Sequence, residues 1–168
     1  MKRIIGIAAL IIFVATAAQS QNLKFGHVNS DELIQALPEY DTASVQLENF
    51  RQELINALEL MQVELNNKSD AYNKESKNLT EVVRQTKEQE LIDLNRRIQD
   101  FQSNAQEQLQ NKQIELFQPI YNKVDKAIKD VGKENGFIYI FNVGSTLYVD
   151  ETKSVNVLPL AKAKLGLK

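Results

Sequence analysis

GFIYIFNVGSTLYVD, residues Gly136 to Asp150, decides how the rest of the chain must be read. Phe137 to Phe141 are five consecutive aromatic or β-branched residues. Asn-Val-Gly-Ser and then Thr146-Leu-Tyr-Val149 follow, so the stretch spells strand, turn, strand. A two-stranded hairpin alone is marginal in water, so these strands need partners. Almost everything before them reads as helix. The nearest candidate is Leu23-Lys-Phe-Gly-His-Val-Asn29, which alternates large side chains with Lys and Gly at the other end of the chain.

Between these ends the punctuation is sparse. Ser30-Asp-Glu precedes Leu33-Ile34 as a helix start, and Pro38 ends that short helix, since the residue before a proline avoids the helical region. From Glu39 to Gln118 there is no Gly and no Pro. Apolar residues recur at 3–4 spacing through Leu47, Leu54, Leu58, Met61, Leu65 and Tyr72 to Leu79 and Val82, interrupted by Arg51, Lys68 and Glu75. A second stripe, Leu91, Leu94, Ile98, Phe101 and Ala105, slips by four to Leu109. It resumes as Leu116, Ile120, Val124, Ala127 and Val131. Pro119 lies inside it and predicts a bend.

Two such stripes predict an antiparallel coiled-coil hairpin over 43–128, with its tip about 78–88 where Ser, Thr and Asn collect. Each arm would be about 60 Å long at 1.5 Å per residue. Gly132 and Gly136 stop the second helix. Val155-Asn-Val-Leu158 leads into a short closing helix with Pro159 in its first turn. The predicted fold class is α+β. A small β body is formed by 21–42 and 129–168, the long arm projects from it, and other copies cover the open sheet edges.

Residues 1–20 read as a signal peptide. Lys2-Arg3 precede twelve apolar residues, Ile4 to Ala15, and the small-residue pattern allows cleavage before Ala18 or Gln21. A retained N-terminal anchor is the alternative. Removing Lys2 and Arg3 from the 20 basic residues leaves 18 against 22 acidic, a net charge of about −4. That balance gives no support to nucleic-acid binding, which depends on a clustered basic face. With no cysteine in the chain, neither a disulfide nor a lipid on cysteine is available.

Residues Phe25-Gly-His-Val-Asn-Ser-Asp-Glu-Leu-Ile34, Leu37-Pro-Glu-Tyr40, Phe137-Ile-Tyr-Ile-Phe-Asn142, Leu147-Tyr-Val-Asp150 and Pro159-Leu-Ala-Lys-Ala-Lys-Leu-Gly166 carry a resemblance. In that order, with a signal peptide ahead of them, they resemble the Skp (OmpH-like) family of periplasmic chaperones. The resemblance implies a homotrimer with a central β body and helical arms enclosing a cavity, where unfolded outer-membrane proteins are held without ATP. One departure concerns charge. Residues 45–117 hold 9 Lys and Arg against 13 Asp and Glu, so contact with lipopolysaccharide or anionic lipid is not carried over from the family's basic-armed members.

No enzyme chemistry is specified and no cofactor or metal is called for. His27 is the sole histidine, which leaves no set of metal ligands or Ser/His pair to build, and its place in a short strand suits packing. Glu48/Glu53 and Glu88/Glu90 suit solvated helix faces. Arg96-Arg97 suits pairing with Asp93 or Asp100. A helix pair has no third layer in which to bury extra large apolar groups, so Phe50, Met61, Tyr72, Val83, Phe101 and Phe117 are the candidate client-binding residues. Phe25, Val28, Phe137, Ile138, Ile140, Leu147 and Val149 are the candidate oligomerisation residues. The competing functional reading is an envelope adaptor that docks a partner through its hairpin tip.

Overall fold

The computed structural model describes residues 23–167; the predicted signal peptide, 1–20, lies outside the described residues. Strand β1 (Lys24–Val28) leads into helix α1 (Ser30–Gln35), and helix α2 (Pro38–Glu75) then runs outward. A 3₁₀ turn (Ser76–Asn78) reverses the chain into helix α3 (Glu81–Glu134), which returns to strand β2 (Phe137–Asn142). A second 3₁₀ turn (Val143–Ser145), strand β3 (Ser154–Asn156) and helix α4 (Leu158–Lys164) complete the body.

Local signals explain most of these boundaries. The Asn29 side chain accepts hydrogen bonds from the Asp31 and Glu32 amides, both at 3.2 Å, and so caps α1. Pro38 ends α1 and also opens α2 from its first turn, where a missing N–H costs nothing. Gly136 holds φ +68°, a left-handed conformation that breaks α3 away from β2.

Helix α3 is 54 residues long and α2 is 38. The reversal falls at Ser76 to Thr80, overlapping only the start of the predicted tip at 78–88, so 81–88 are helical. The turn lies nearer the start of the hairpin because α3 continues past the arm and forms one wall of the body. Phe117, Ile120, Val124 and Val131 of α3 are buried there with Ala43 of α2, so the body's core reaches into both long helices, beyond the predicted division at 43 and 128. A three-stranded sheet needs such a helical layer to cover one face. Helix α3 stays continuous through Pro119.

The sheet differs from the predicted hairpin. Its order is β2–β1–β3 with both pairings parallel, and Thr146–Asp150 is not a strand. Two-residue hairpin turns need positive φ, and among the described residues only Gly136 and Gly166 have it. Asn142–Ser145 instead close a right-handed 3₁₀ turn: the Asn142 side chain accepts from the Gly144 amide, and the Thr146 hydroxyl donates to the Asn142 carbonyl. The chain is thereby led away from β2, and Ser154–Asn156 takes the far side of β1.

Between Lys24 and Phe25 the β1–β2 register shifts, so that Lys24 faces Phe137 while Phe25 faces Tyr139. This bulge at Ile138 exchanges the faces of β2. Phe137 turns inward, with the Lys24 ammonium 4.2 Å from its ring centre, and Ile140 follows. Tyr139 and Phe141 turn outward. Gly26 sits where β1 presses on the core: a Cβ there would meet Val157 Cγ1 at 2.9 Å and Ile140 Cγ1 at 3.1 Å. Around it Leu33, Leu37, Val157 and Ala161 are fully enclosed.

Two outcomes follow from this packing. Gly26→Ala should lower stability by about 1–3 kcal/mol in urea unfolding at fixed protein concentration, by overpacking. Gly144→Ala, whose nearest neighbour would be 3.6 Å away, should change stability little. Equal effects would contradict the assigned sheet packing. In the arm, Ala43 is the one buried residue of α2, and it lies at the root. Amides of 70–90 should therefore exchange faster than those of β1, and equal protection would rule out a loosely held arm.

Candidate functional site

Two surfaces stand out. The first is the outward face of the sheet. Strand alternation and the bulge bring Phe25, Tyr139 and Phe141 together there. The Phe25 and Tyr139 rings are stacked at 6.4 Å between centroids, and Tyr139 lies 5.9 Å from Phe141. Tyr139 remains 60% exposed and Tyr148 78%, although rings of this size usually lie against something. Beside them a hollow of about 320 Å³ lies between Phe25, His27, Phe141 and the segment 146–150. His27 is buried at its floor, and its Nδ1 is 2.9 Å from the Ser154 hydroxyl, so its role is to tie β1 to β3. No group of residues able to hold a metal occurs among the described residues.

The predicted oligomerisation residues divide between the two faces. Val28 is 2% exposed and belongs to the chain's own core, against which Phe137 and Ile140 pack, so these three are corrected to internal residues. Phe25 faces outward, Ile138 is exposed at the bulge, Val149 is half-buried, and Leu147 is fully exposed. Tyr139, Phe141 and Tyr148 join this face without having been predicted. Period-two alternation through Phe137, Tyr139 and Phe141 suggests one aromatic face, but the bulge that takes Phe137 out of it leaves no mark in the sequence.

The second surface is the arm. Leu94 and Ile98 are buried in its seam, with Leu47, Leu54, Leu58, Met61, Leu65 and Tyr72 half-buried opposite. Near the turn the Tyr72 hydroxyl donates to the Glu88 carboxylate, and this bond, helped by desolvation, holds the phenol above its usual range. Lys87 and Glu75 pair across the hairpin at 3.5 Å, as Lys68 and Glu90 do at 3.6 Å. At the root Lys123 bonds Glu39 and holds that carboxyl below the ordinary carboxylate range. Arg96 pairs with Asp93 at 3.4 Å. Most of the arm's cations are thus neutralised by neighbours, while the acidic excess stays in solvent.

The candidate client-binding residues also separate. Phe117 is buried at the root, edge-on to Tyr40 at 5.5 Å and beside Tyr121, so it is corrected to a core residue. It sits where α3 enters the body, and there a third layer does exist. Met61 and Tyr72 belong to the seam, Phe50 is half-buried, and Val83 is exposed in the first turn of α3. Phe101 lines an open trough of about 190 Å³ with Leu54, Ile55, Leu58, Ala105 and Leu109. Leu60, Val63, Ile92 and Ile114, all more than half exposed, are further apolar groups that the sequence pattern did not single out. Their signal is their failure to fit either apolar stripe.

Comparison with known proteins agrees with this architecture. The sequence model of the family described as Outer membrane protein (OmpH-like) matches residues 24–165. The chain is 25% identical over 167 residues to the chaperone protein Skp of Yersinia enterocolitica, covering 98% of this chain and all of that one. The structure of an OmpH-like outer membrane chaperone from Caulobacter crescentus superposes with a TM-score of 0.72 at 10% identity, over 85% of this chain and 83% of that one, a likeness of fold alone. Because the family match runs from β1 through α4, taking in sheet and arm together, the chain belongs to the OmpH-like family.

Proposed function

We propose that this protein is an ATP-independent periplasmic holdase, binding unfolded outer-membrane proteins between the arms of a homotrimer. The aliphatic side chains stranded on the arm carry this reading. Leu60, Val63, Ile92 and Ile114 lie off the seam and serve no fold of their own, so they suit weak, scattered contact with apolar segments of many chains. Such contact shields aggregation-prone strands without one tight site. The exposed aromatic sheet face supports assembly. The Skp relative is a chaperone by name, which favours a chaperone reading.

Assembly is tested by mass. Light scattering on the purified protein should give about three chains, and Tyr139→Ser with Phe141→Ser should shift it toward monomer, because aromatic burial dominates such contacts. A wild-type monomer at every concentration would refute the trimer.

Holding is tested on the arm. Leu60, Val63, Ile92 and Ile114 changed to Ser should leave unfolding within about 0.5 kcal/mol per site, as exposed positions do. The same variant should suppress aggregation of an unfolded β-barrel protein several-fold less well. Undiminished suppression would sink the reading. Val82 is 73% exposed beside the tip, which favours the adaptor as the second reading. Loss of a partner on Val82→Ser and Val83→Ser, with suppression absent in the wild type, would support it.

A further inference from the structure

One side of α3 carries an uncharged stripe. Gln99, Gln102, Gln106, Gln110 and Gln113 follow one another at spacings of three, four, four and three, which keeps all five on one face of the helix. All five are exposed. Elsewhere many exposed positions on these helices carry charge pairs such as Arg51–Glu48, Arg84–Glu81 and Lys129–Asp125. Some other amides close onto a neighbour one turn away, Gln52 on Asn56, Gln62 on Asn66 and Gln118 on Asn122, while scattered ones such as Gln46 and Gln108 are also exposed without a hydrogen-bonded partner. Among the described residues none of the five stripe amides has a hydrogen-bonded side-chain partner.

The stripe borders the apolar trough in mid-arm. Gln102 and Gln106 form part of the trough wall, Arg51 lies on the wall with its charge paired to Glu48 at 2.7 Å, and Ala105, where the second apolar stripe slips, lines the floor with Leu54 and Leu58. Helix geometry makes the stripe about 21 Å long, the span of about six residues of extended chain. A carboxamide both donates and accepts, as each peptide unit of an extended chain does. The lip offers unpartnered donors and acceptors without charge, beside an apolar floor for a side chain.

We propose that the trough and the glutamine stripe together form a backbone-reading site for an extended, uncharged, apolar polypeptide segment. This deepens the holdase reading and rests on it. The stripe amides bond the peptide units while a side chain of the segment drops into the trough between Leu58 and Ala105. Recognition of the main chain makes the site tolerant of sequence. A glutamine lip, with Arg51 on the wall already paired to Glu48, makes it nearly indifferent to salt.

The test titrates the purified protein with a short capped peptide alternating Phe and Ser, and with its backbone N-methylated copy. Replacing all five glutamines by Ala, which favours helix, should weaken the first peptide about tenfold, equivalent to about 1.4 kcal/mol, with helix content and mass unchanged. The N-methylated copy should bind both proteins equally weakly. Wild-type affinity should hold from about 0.01 M to about 1 M salt, over which the screening length falls from about 30 to 3 Å. Gln102→Glu with Gln106→Glu, nearly isosteric, should weaken binding and provides a second variant if the first fails to fold. Unchanged affinity in the variants would overturn the site. So would a fall in oligomer mass without loss of peptide binding, which would assign the stripe to contact between copies. If the wild type ignores the peptide yet suppresses aggregation, only this site falls; if it does neither, the holdase reading falls with it.

Discussion

The structure depends on one strand being enclosed by two that come much later. Strand β1 has no neighbour near it in sequence; it pairs on one side with β2 and on the other with β3. Gly26 lets β1 lie close to the core, and a side chain there would strike Phe137 and Ile140 of β2 and Val157 just after β3. The sheet therefore cannot form until Lys24 and Phe137 meet. The hairpin makes that meeting affordable: α2 leaves the body and α3 brings the chain back to it, so helix formation and seam packing replace most of a very long loop closure.

The same geometry separates stiffness from adaptability. At the root, α2 and α3 join α1, α4 and the sheet in a layered core, with Leu33, Leu37 and Val157 sealed inside. Further out only two helices remain, and their seam buries Leu94 and Ile98 but leaves Phe50 and Phe101 half open. Beyond them, pairs such as Lys87–Glu75 and the Tyr72–Glu88 bond hold the end. Exposed pairs of this sort stabilise little and are screened by salt. A body held by apolar packing thus presents an arm held by progressively weaker contacts.

Much of this architecture is legible in the amino-acid sequence. The absence of Gly and Pro from Glu39 to Gln118, the two stripes, and Pro38 and Gly136 at the ends read directly as a helical hairpin on a small mixed body. What escapes is non-local. Whether Thr146–Val149 pairs with β2 depends on the sign of φ at Gly144, which the composition of the turn does not reveal. The inward turn of Phe137 depends on a bulge set by its pairing with Lys24. Phe117 carries no local mark distinguishing it from Phe101, yet one meets Tyr40 in a core and the other borders an open trough. The tip lies at the start of its predicted range because the two helices differ in length, and that difference is set by how far α3 runs into the body.

Because its central strand is made first and both flanking strands last, the sheet can close only when synthesis is nearly complete. A nascent chain exposes β1 with two open edges throughout the time in which the arm is being made, and closes them only when Ser154–Asn156 has emerged. A chain broken off anywhere before β3 keeps an unpaired edge on β1, the kind of edge that invites degradation or sticking rather than function.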